Sequence, residues 1–347
     1  MTAADISRIR VAGFRSIADA AFPLDRINIL IGSNGSGKSN ILGIFELLHA
    51  VTTGNLQTYV TECGGAEILF RYGSGQTKTI MLRVEFGDSY YELHLLPSGN
   101  GCRIDREHLT LITDDATLQL VSSDTAETGI FAGVQADASW ESFRLRLQSW
   151  TTYRFQSRCT GAEDERRLTE FLHRLQETAP EHYEKIVDTI RLVFPQFGTF
   201  QFREVNGVVK LFWTDALVKD HMFGLGALSG GTARFINLAV LLLQPSPPHL
   251  ILIDEPELGL HPYAILVLAD LMKLASRTSQ LIVSTQSVQL LNAFGPHEDN
   301  AGSRILIVEQ DHGATAVTVS TPESLADWIE EYTIGDLWQM NILGGNP

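Results

Sequence analysis

The chain has 347 residues, 44% of them hydrophobic and 19% charged, which is the composition of a globular protein with one large domain or two lobes. A formal net charge of −15 excludes nonspecific affinity for polyanions over the whole surface, although a local basic groove stays open. No apolar run approaches membrane-spanning length and the N-terminus has no secretory pattern, so we predict a cytoplasmic protein without a membrane partner.

The first third of the chain predicts a strand–loop–helix unit followed by an antiparallel lobe. Residues 6–11 and 27–31 have the apolar composition of strands, and the second of these runs directly into a glycine-rich loop. Apolar residues over 41–48 then follow helical spacing. From about 66 to 112 the pattern changes to strict alternation, clearest in TIMLRVEF at 79–86. This alternation predicts several antiparallel strands that each bury one face.

The rest of the chain predicts helices, one hairpin and a parallel sheet. Residues 163–193 have helical spacing, and Pro180 is expected to separate two helices. Residues 200–213 place Asn-Gly between two alternating arms, which predicts a β-hairpin. Helices then alternate with fully apolar strands, an order typical of a parallel sheet covered on both faces. These strands lie at 250–254, 281–285 and 304–308.

The glycine-rich loop has the pattern of a phosphate cradle. Residues 32–39, GSNGSGKS, fit G-x-x-x-x-G-K-[ST] between a strand and a helix. In this motif the helix N-terminal amides hold phosphates, the lysine reaches the β and γ groups, and the serine hydroxyl binds Mg²⁺. We therefore predict ATP and Mg²⁺ as cofactors. The predicted nucleotide-binding residues are Asn34, Gly35, Ser36, Gly37, Lys38, Ser39 and Asn40, with Ser39 as a metal ligand.

Two adjacent carboxylates end the apolar strand LILIDE at 250–255. A buried parallel strand delivers such residues to the carboxyl edge of the sheet, where ligands bind in open α/β folds. We expect Asp254 to hold the Mg²⁺ water shell and Glu255 to polarise a water for in-line attack on the γ-phosphate. An acidic pair after a strand is otherwise often a solvated loop, and the phosphate cradle earlier in the chain favours the functional interpretation.

A second glycine segment, LSGGT at 228–232, directly precedes another helix. Its backbone amides can form a further anion nest, yet Lys38 and the first loop already cover the phosphates of one nucleotide. We therefore predict that Ser229, Gly230 and Gly231 face outward and close over the γ-phosphate of a nucleotide held by another copy. A plain helix cap is the alternative interpretation.

The order of these motifs resembles that of ABC-type ATPase heads: phosphate loop, LSGGT signature, acidic strand and ELGLHP at 257–262. The opening GFRS at 13–16 resembles the SMC, RecF and OLD branch of that family. The segments GGAEILF at 64–70, FLHRLQ at 171–176 and LWQMNILGG at 337–345 extend the resemblance over nearly the whole chain. In them the chain is similar to compact bacterial proteins described as AAA-family ATPases, without a coiled coil or a fused nuclease. The resemblance implies an α/β P-loop NTPase fold with a mixed or parallel sheet covered by helices, an antiparallel β lobe and a small helical insertion.

The resemblance also implies a single head over residues 1–347. Within it we expect an N-terminal lobe at 1–160 with the phosphate loop and the β-rich subdomain, and a helical insertion with the hairpin at 161–213. The C-terminal lobe at 214–347 is expected to carry the signature, the acidic strand and the switch segment.

Three further site residues are implied only by the family pattern. Gln156 is the candidate Q-loop ligand of Mg²⁺, although an ordinary polar side chain explains it equally. Arg15 is expected near the nucleotide, with a surface arginine as the alternative. Gln286 occupies the switch position, where many relatives have histidine. An amide can donate a hydrogen bond to the γ-phosphate but cannot carry a proton as imidazole does, which favours slow hydrolysis.

These features predict an ATPase head that forms a homodimer around two ATP–Mg²⁺ and controls a DNA-related or defence process, such as DNA repair or phage defence. The alternative is a slow nucleotide-dependent switch or scaffold that regulates a separately encoded nuclease or toxin. The chain lacks sustained heptads, and we expect no fused nuclease domain. Two other classes of ATPase fit the sequence less well. An AAA+ ring motor would give LSGGT no role, and the GFRS opening and the long β-rich lobe disfavour a transporter subunit.

Overall fold

The computed structural model describes residues 5–113, 116–132, 138–154, 162–218, 221–295, 302–320, 328 and 331–344. Within these ranges, no helix is long and apolar enough to cross a membrane. The chain divides into two compact units. The first joins Met1–Tyr153, Pro248–Asp254 and Gln280–Pro347, and the second joins Arg154–Pro247 and Glu255–Ser279.

The first part of the chain is rich in strands. Its elements are β1 (Arg8–Phe14), β2 (Ile17–Pro23), β3 (Ile27–Ile31), α1 (Lys38–Thr52), α2 (Leu56–Glu62), α3 (Ala66–Leu69), β4 (Ile80–Phe86), β5 (Ser89–Ser98), β6 (Gly101–Ile112), β7 (Thr117–Thr125), α4 (Ala138–Gln148) and β8 (Thr151–Arg154). The predicted strand at 27–31 is confirmed to the residue. The first strand continues to Phe14, beyond the predicted end at 11, because it pairs antiparallel with β2.

The second part alternates helices and strands. It contains α5 (Ala162–Thr178), α6 (Pro180–Val193), β9 (Phe197–Val205), β10 (Val208–Asp215), β11 (Met222–Gly224), a 3₁₀ turn (Leu225–Ala227), α7 (Gly230–Leu243), β12 (Leu250–Asp254), α8 (Pro262–Ala275), β13 (Gln280–Ser284), α9 (Val288–Asn292), β14 (Ser303–Asp311), β15 (Ala314–Ser320) and α10 (Ile334–Gln339).

One six-stranded sheet of the first unit, in the order β15-β14-β3-β13-β12-β8, positions the phosphate loop. Strand β3 lies between β13 and β14 and is parallel to both, and β12 is parallel to β13. Every residue of β3 and β13 is buried, as expected for parallel strands covered on both faces. The predicted parallel sheet is therefore confirmed, with the antiparallel strand β15 added at one edge.

The second sheet of this unit is the predicted antiparallel lobe, in the order β2-β1-β4-β5-β6-β7. Strand β4 buries alternate residues, so the face predicted for Ile80, Leu82, Val84 and Phe86 is confirmed. The lobe also buries a carboxylate, because Glu107 is fully buried and accepts hydrogen bonds from the Tyr91 hydroxyl (2.8 Å) and the Gly129 amide (2.9 Å). Burial, with the Glu107 carboxylate beside it, raises the pKa of Tyr91 well above its ordinary range.

The second unit contains the predicted helix pair and hairpin. Helix α5 ends at Thr178 and α6 begins at Pro180, since proline fits the first turn of a helix but cannot continue the preceding one. Strands β9 and β10 pair antiparallel across Asn206-Gly207, whose φ angles are 55° and 77°. Two positive φ values are those of a type I′ turn, which Asn-Gly favours.

Candidate functional site

The loop between β3 and α1 requires glycine at several positions. Gly32, Gly35 and Gly37 have φ angles of 152°, 80° and 112°, a region that residues with a Cβ rarely adopt. A Cβ on Gly32 would overlap the Val308 carbonyl oxygen, and one on Gly37 would overlap the Thr315 hydroxyl. No atom lies within 4 Å of the Cβ position of Gly35. The backbone is therefore packed closely on one side and open to a ligand at Gly35.

Lys38 begins helix α1 and is 6% exposed. Its Nζ donates to the carbonyl oxygens of Gly32 (2.7 Å) and Ser33 (3.0 Å), so the ammonium lies along the loop. The helix dipole places partial positive charge at this helix start. The cation and the helix start together form an environment that suits phosphate.

Two oxygen-bearing side chains that fit a magnesium ion lie beside this loop. The Ser39 Oγ is 3.4 Å from Oδ2 of Asp254, the last residue of β12. The Ser284 hydroxyl at the end of β13 donates to the other Asp254 oxygen. A hydroxyl and a carboxylate are hard oxygen ligands of the kind Mg²⁺ prefers, and Mg²⁺ is usually bound by one or two carboxylates together with substrate phosphates. Ser39 and Asp254 therefore fit the predicted cation.

The switch residue reaches the same loop. Gln286 follows β13 by two residues, and its Nε2 donates to Asn34 Oδ1 at 2.9 Å. The amide is thus held at the phosphate loop, and its contact with the γ-phosphate stays a prediction. Its part in hydrolysis stays a prediction.

The second glycine segment lies at the start of α7 in the second unit. Ser229 is the N-cap of this helix, and its Oγ accepts a hydrogen bond from the Thr232 amide at 3.1 Å. The helix-cap interpretation therefore describes the Ser229 side chain. It does not use the amides of Gly230 and Gly231, which belong to the first turn and have no partner within the helix. An anion can still bind those amides.

Gly231 packs against the segment that follows the acidic strand. A Cβ at Gly231 would overlap the carbonyl oxygen of Gly259, whereas nothing lies within 4 Å of the Cβ position of Gly230. We expect Gly231→Ala to lower the free energy of unfolding by about 1–3 kcal/mol because the Gly259 backbone must shift. Gly230→Ala should leave it within about 1 kcal/mol of the wild type or raise it. Denaturant unfolding of the two variants checks this, and equal stabilities would contradict the packing argument.

Glu255 has an unusual backbone, which a neighbouring arginine helps to hold. Its φ is 47°, a left-handed conformation that costs a residue with a Cβ roughly 1–2 kcal/mol. The buried Arg234 of α7 donates from Nη1 to the carbonyl oxygens of Leu258 (2.8 Å) and Glu255 (3.5 Å). Strain of this kind clusters at functional positions. Arg234 was not predicted from the sequence, although it lies three residues after Gly231.

Two residues predicted to bind the nucleotide, Arg15 and Asn40, form side-chain hydrogen bonds with other protein groups. The Arg15 Nη2 donates to Tyr59 Oη and Cys63 Sγ, both at 3.2 Å, and Arg15 lines an open cleft together with Asn40. The side-chain Nδ2 of Asn40 donates to Ser16 Oγ at 2.6 Å. The nucleotide contacts of Arg15 and Asn40 stay predictions. Gln156 lies outside the described residues.

Comparisons with known proteins concern the family and the fold of the chain. The family model "AAA domain, putative AbiEii toxin, Type IV TA system" matches residues 135–292, and "AAA ATPase domain" matches residues 5–100. None of the curated proteins matches the chain. Among solved structures, an SMC head bound to the C-winged helix domain of ScpA has a TM-score of 0.57 at 17% identity, with 92% of this chain and 98% of that chain covered.

A second solved structure has the same degree of similarity. It is an Smc head domain with an extended coiled coil bound to the C-terminal domain of ScpA, derived from Pyrococcus furiosus. The TM-score is 0.57 at 14% identity, with 94% of this chain and 98% of that chain covered. The chain thus shares the α/β fold of these SMC head domains, which confirms the predicted fold class. The two family-model matches and the shared fold together support a nucleotide-binding ATPase head.

Proposed function

We propose that this protein hydrolyses ATP and that two copies dimerise around two ATP–Mg²⁺. The observation that supports the proposal is a pair of glycine-rich helix starts that suit anions, one at Lys38 with Ser39 and Asp254 beside it, the other at Ser229. The two lie in different compact units of the chain. The second helix start of one copy then completes the nucleotide site that is formed at the first helix start of another copy.

In this proposal each residue has one task. Lys38 and the amides of the phosphate loop hold and neutralise the phosphates, and Ser39 and Asp254 hold Mg²⁺, which offsets charge on the phosphate oxygens. Glu255 accepts a hydrogen bond from the attacking water and orients it in line with the γ-phosphate. The Gln286 amide donates a hydrogen bond to the γ-phosphate but cannot relay a proton, so we expect slow turnover.

Dimerisation is tested by the mass of Glu255→Gln protein in solution, with and without ATP–Mg²⁺. This change should permit binding while blocking hydrolysis, so ATP is expected to convert monomer to dimer. Adding Ser229→Arg should abolish the conversion, because the long cationic side chain obstructs the outward-facing nest. Lys38→Ala, which removes the phosphate-binding cation, is the non-binding control. A mass that ATP does not change would contradict the composite site in its simple form.

The biological task is proposed to be control of a DNA-related or defence process in the cytoplasm. The two SMC heads above are each bound to a domain of ScpA, which supports a separately encoded protein partner for this chain. The description of one matching family names a toxin of a type IV toxin–antitoxin system, which supports defence. DNA stays a candidate partner.

A second candidate function is a slow nucleotide-dependent switch that regulates a separately encoded nuclease or toxin. The presence of glutamine rather than histidine at position 286 favours this alternative. Slow ATP turnover that DNA leaves unchanged would support the switch, whereas stimulation by DNA would support a DNA-remodelling or repair enzyme. A pull-down from the native host that recovers no second protein would count against the regulated effector.

A further inference from the structure

The β14–β15 hairpin carries two polar side chains that contact backbone carbonyl oxygens of the phosphate loop. The hairpin closes through His312-Gly313, with φ angles of 47° and 76°, which places Gln310 directly opposite Thr315. Their side chains are joined by a hydrogen bond of 3.3 Å from Gln310 Nε2 to Thr315 Oγ1. Neither residue belongs to any motif identified in the sequence.

Both side chains bind carbonyl oxygens of the loop. Gln310 Nε2 lies 3.2 Å from Gly35 O and 3.1 Å from Ser36 O, and its two hydrogens are shared among these carbonyls and Thr315 Oγ1. Thr315 Oγ1 donates to Ser36 O at 3.1 Å. The Ser36 carbonyl therefore accepts two hydrogen bonds from the hairpin. Thr315 is 2% exposed and packs against Gly37, so it is held close to this peptide.

The polarity of the Thr315 hydroxyl is determined by its neighbours. The Asn40 Nδ2 donates to Ser16 Oγ at 2.6 Å, and Ser16 Oγ lies 2.6 Å from Thr315 Oγ1. An amide nitrogen only donates and a carbonyl oxygen only accepts. The Thr315 hydroxyl must therefore donate to the Ser36 carbonyl, and the Ser16 hydroxyl must donate to Thr315 Oγ1. The hydrogen bonds then run in one direction, from Asn40 through Ser16 and Thr315 to Ser36. This chain of hydrogen bonds aims the Thr315 proton at the Ser36 carbonyl.

The orientation of the Ser36 carbonyl also determines the direction of the Gly37 N–H. In a planar trans peptide the carbonyl and the following N–H point in opposite directions. With the Ser36 carbonyl held toward the hairpin, the N–H of Gly37 points away from the hairpin. We propose that Gln310 and Thr315 are positioning residues that orient the Ser36–Gly37 peptide so that its N–H binds a nucleotide phosphate. This inference rests on the proposed nucleotide-binding function and adds two residues to it.

The test is the affinity for ADP–Mg²⁺, measured by isothermal titration calorimetry on the full chain. Thr315→Val keeps the shape and removes the hydroxyl, and Gln310→Met keeps the length and removes the donors. Each is expected to bind ADP about tenfold more weakly, the effect of losing a hydrogen bond that orients a ligand-binding group. Thr315→Ser retains the hydroxyl and should bind ADP within about twofold of the wild type.

Thr318→Val is the matched control, because it removes an exposed hydroxyl three residues further along β15, on the opposite face of the strand. Melting temperatures measured without nucleotide distinguish a positioning role from a purely structural one. A purely structural role would lower the melting temperature and leave the ADP affinity unchanged. If Thr315→Val and Gln310→Met bind ADP as tightly as Thr318→Val does, the positioning role is wrong. If the wild-type protein itself binds no ADP, the proposed function fails, and this inference fails with it.

Discussion

Replacing Glu255 with glutamine is expected to lower the rate of ATP turnover by about 10²–10⁴-fold while ATP–Mg²⁺ still binds. The amide has nearly the same size as the carboxylate but cannot accept the proton of the attacking water. The backbone of Glu255, with φ of 47° and its carbonyl bonded to Arg234, needs no change for this substitution. Steady-state phosphate release measures the rate, and titration with ATP–Mg²⁺ measures the retained affinity.

The control for the loss of one negative charge is Glu204→Gln, an exposed position on the β9–β10 hairpin. It should leave turnover within about twofold of the wild type, as expected of a surface substitution. If Glu255→Gln turns over ATP at the wild-type rate, Glu255 is not the residue that activates water. A rate that falls together with ATP affinity would assign Glu255 to binding rather than to the chemical step.

Lys38→Ala is expected to weaken the binding of ADP–Mg²⁺ by about 100-fold, equivalent to about 3 kcal/mol. The ammonium is nearly buried and lies against the loop carbonyls at 2.7 and 3.0 Å, so its charge-assisted bonds to phosphate are only slightly screened by water. The loss should be specific to phosphate groups, and the affinity for adenosine should change little. Calorimetric titration of both ligands checks this.

Lys78→Ala provides the matched comparison, since Lys78 is exposed and donates only to the neighbouring Ser74 carbonyl among the described contacts. Its ADP affinity should equal that of the wild type. Equal affinities of Lys38→Ala and Lys78→Ala for ADP would show that the loop at 32–39 does not hold the phosphates, and the nucleotide-binding proposal would be wrong.

Local features of the fold were predictable from the sequence because they depend on residues close together in the chain. The buried strand β3, the alternating face of β4, the break before Pro180 and the Asn206-Gly207 turn all follow from spacing or from backbone preferences. The phosphate loop was predictable for the same reason, since glycine spacing and the lysine position belong to eight consecutive residues.

The tertiary structure alone decided which distant residues meet. Ser39 meets Asp254 across 215 positions, Gln286 meets Asn34 across 252, and Thr315 meets Ser36 across 279. The sequence predicted that the residues of the first two pairs share one nucleotide site, Asp254 from its place at the carboxyl edge of the sheet and Gln286 from the family pattern, but it did not predict these two contacts. The hairpin residues Gln310 and Thr315 carry no local pattern, since an ordinary amide and hydroxyl gain their roles only from the carbonyls placed against them.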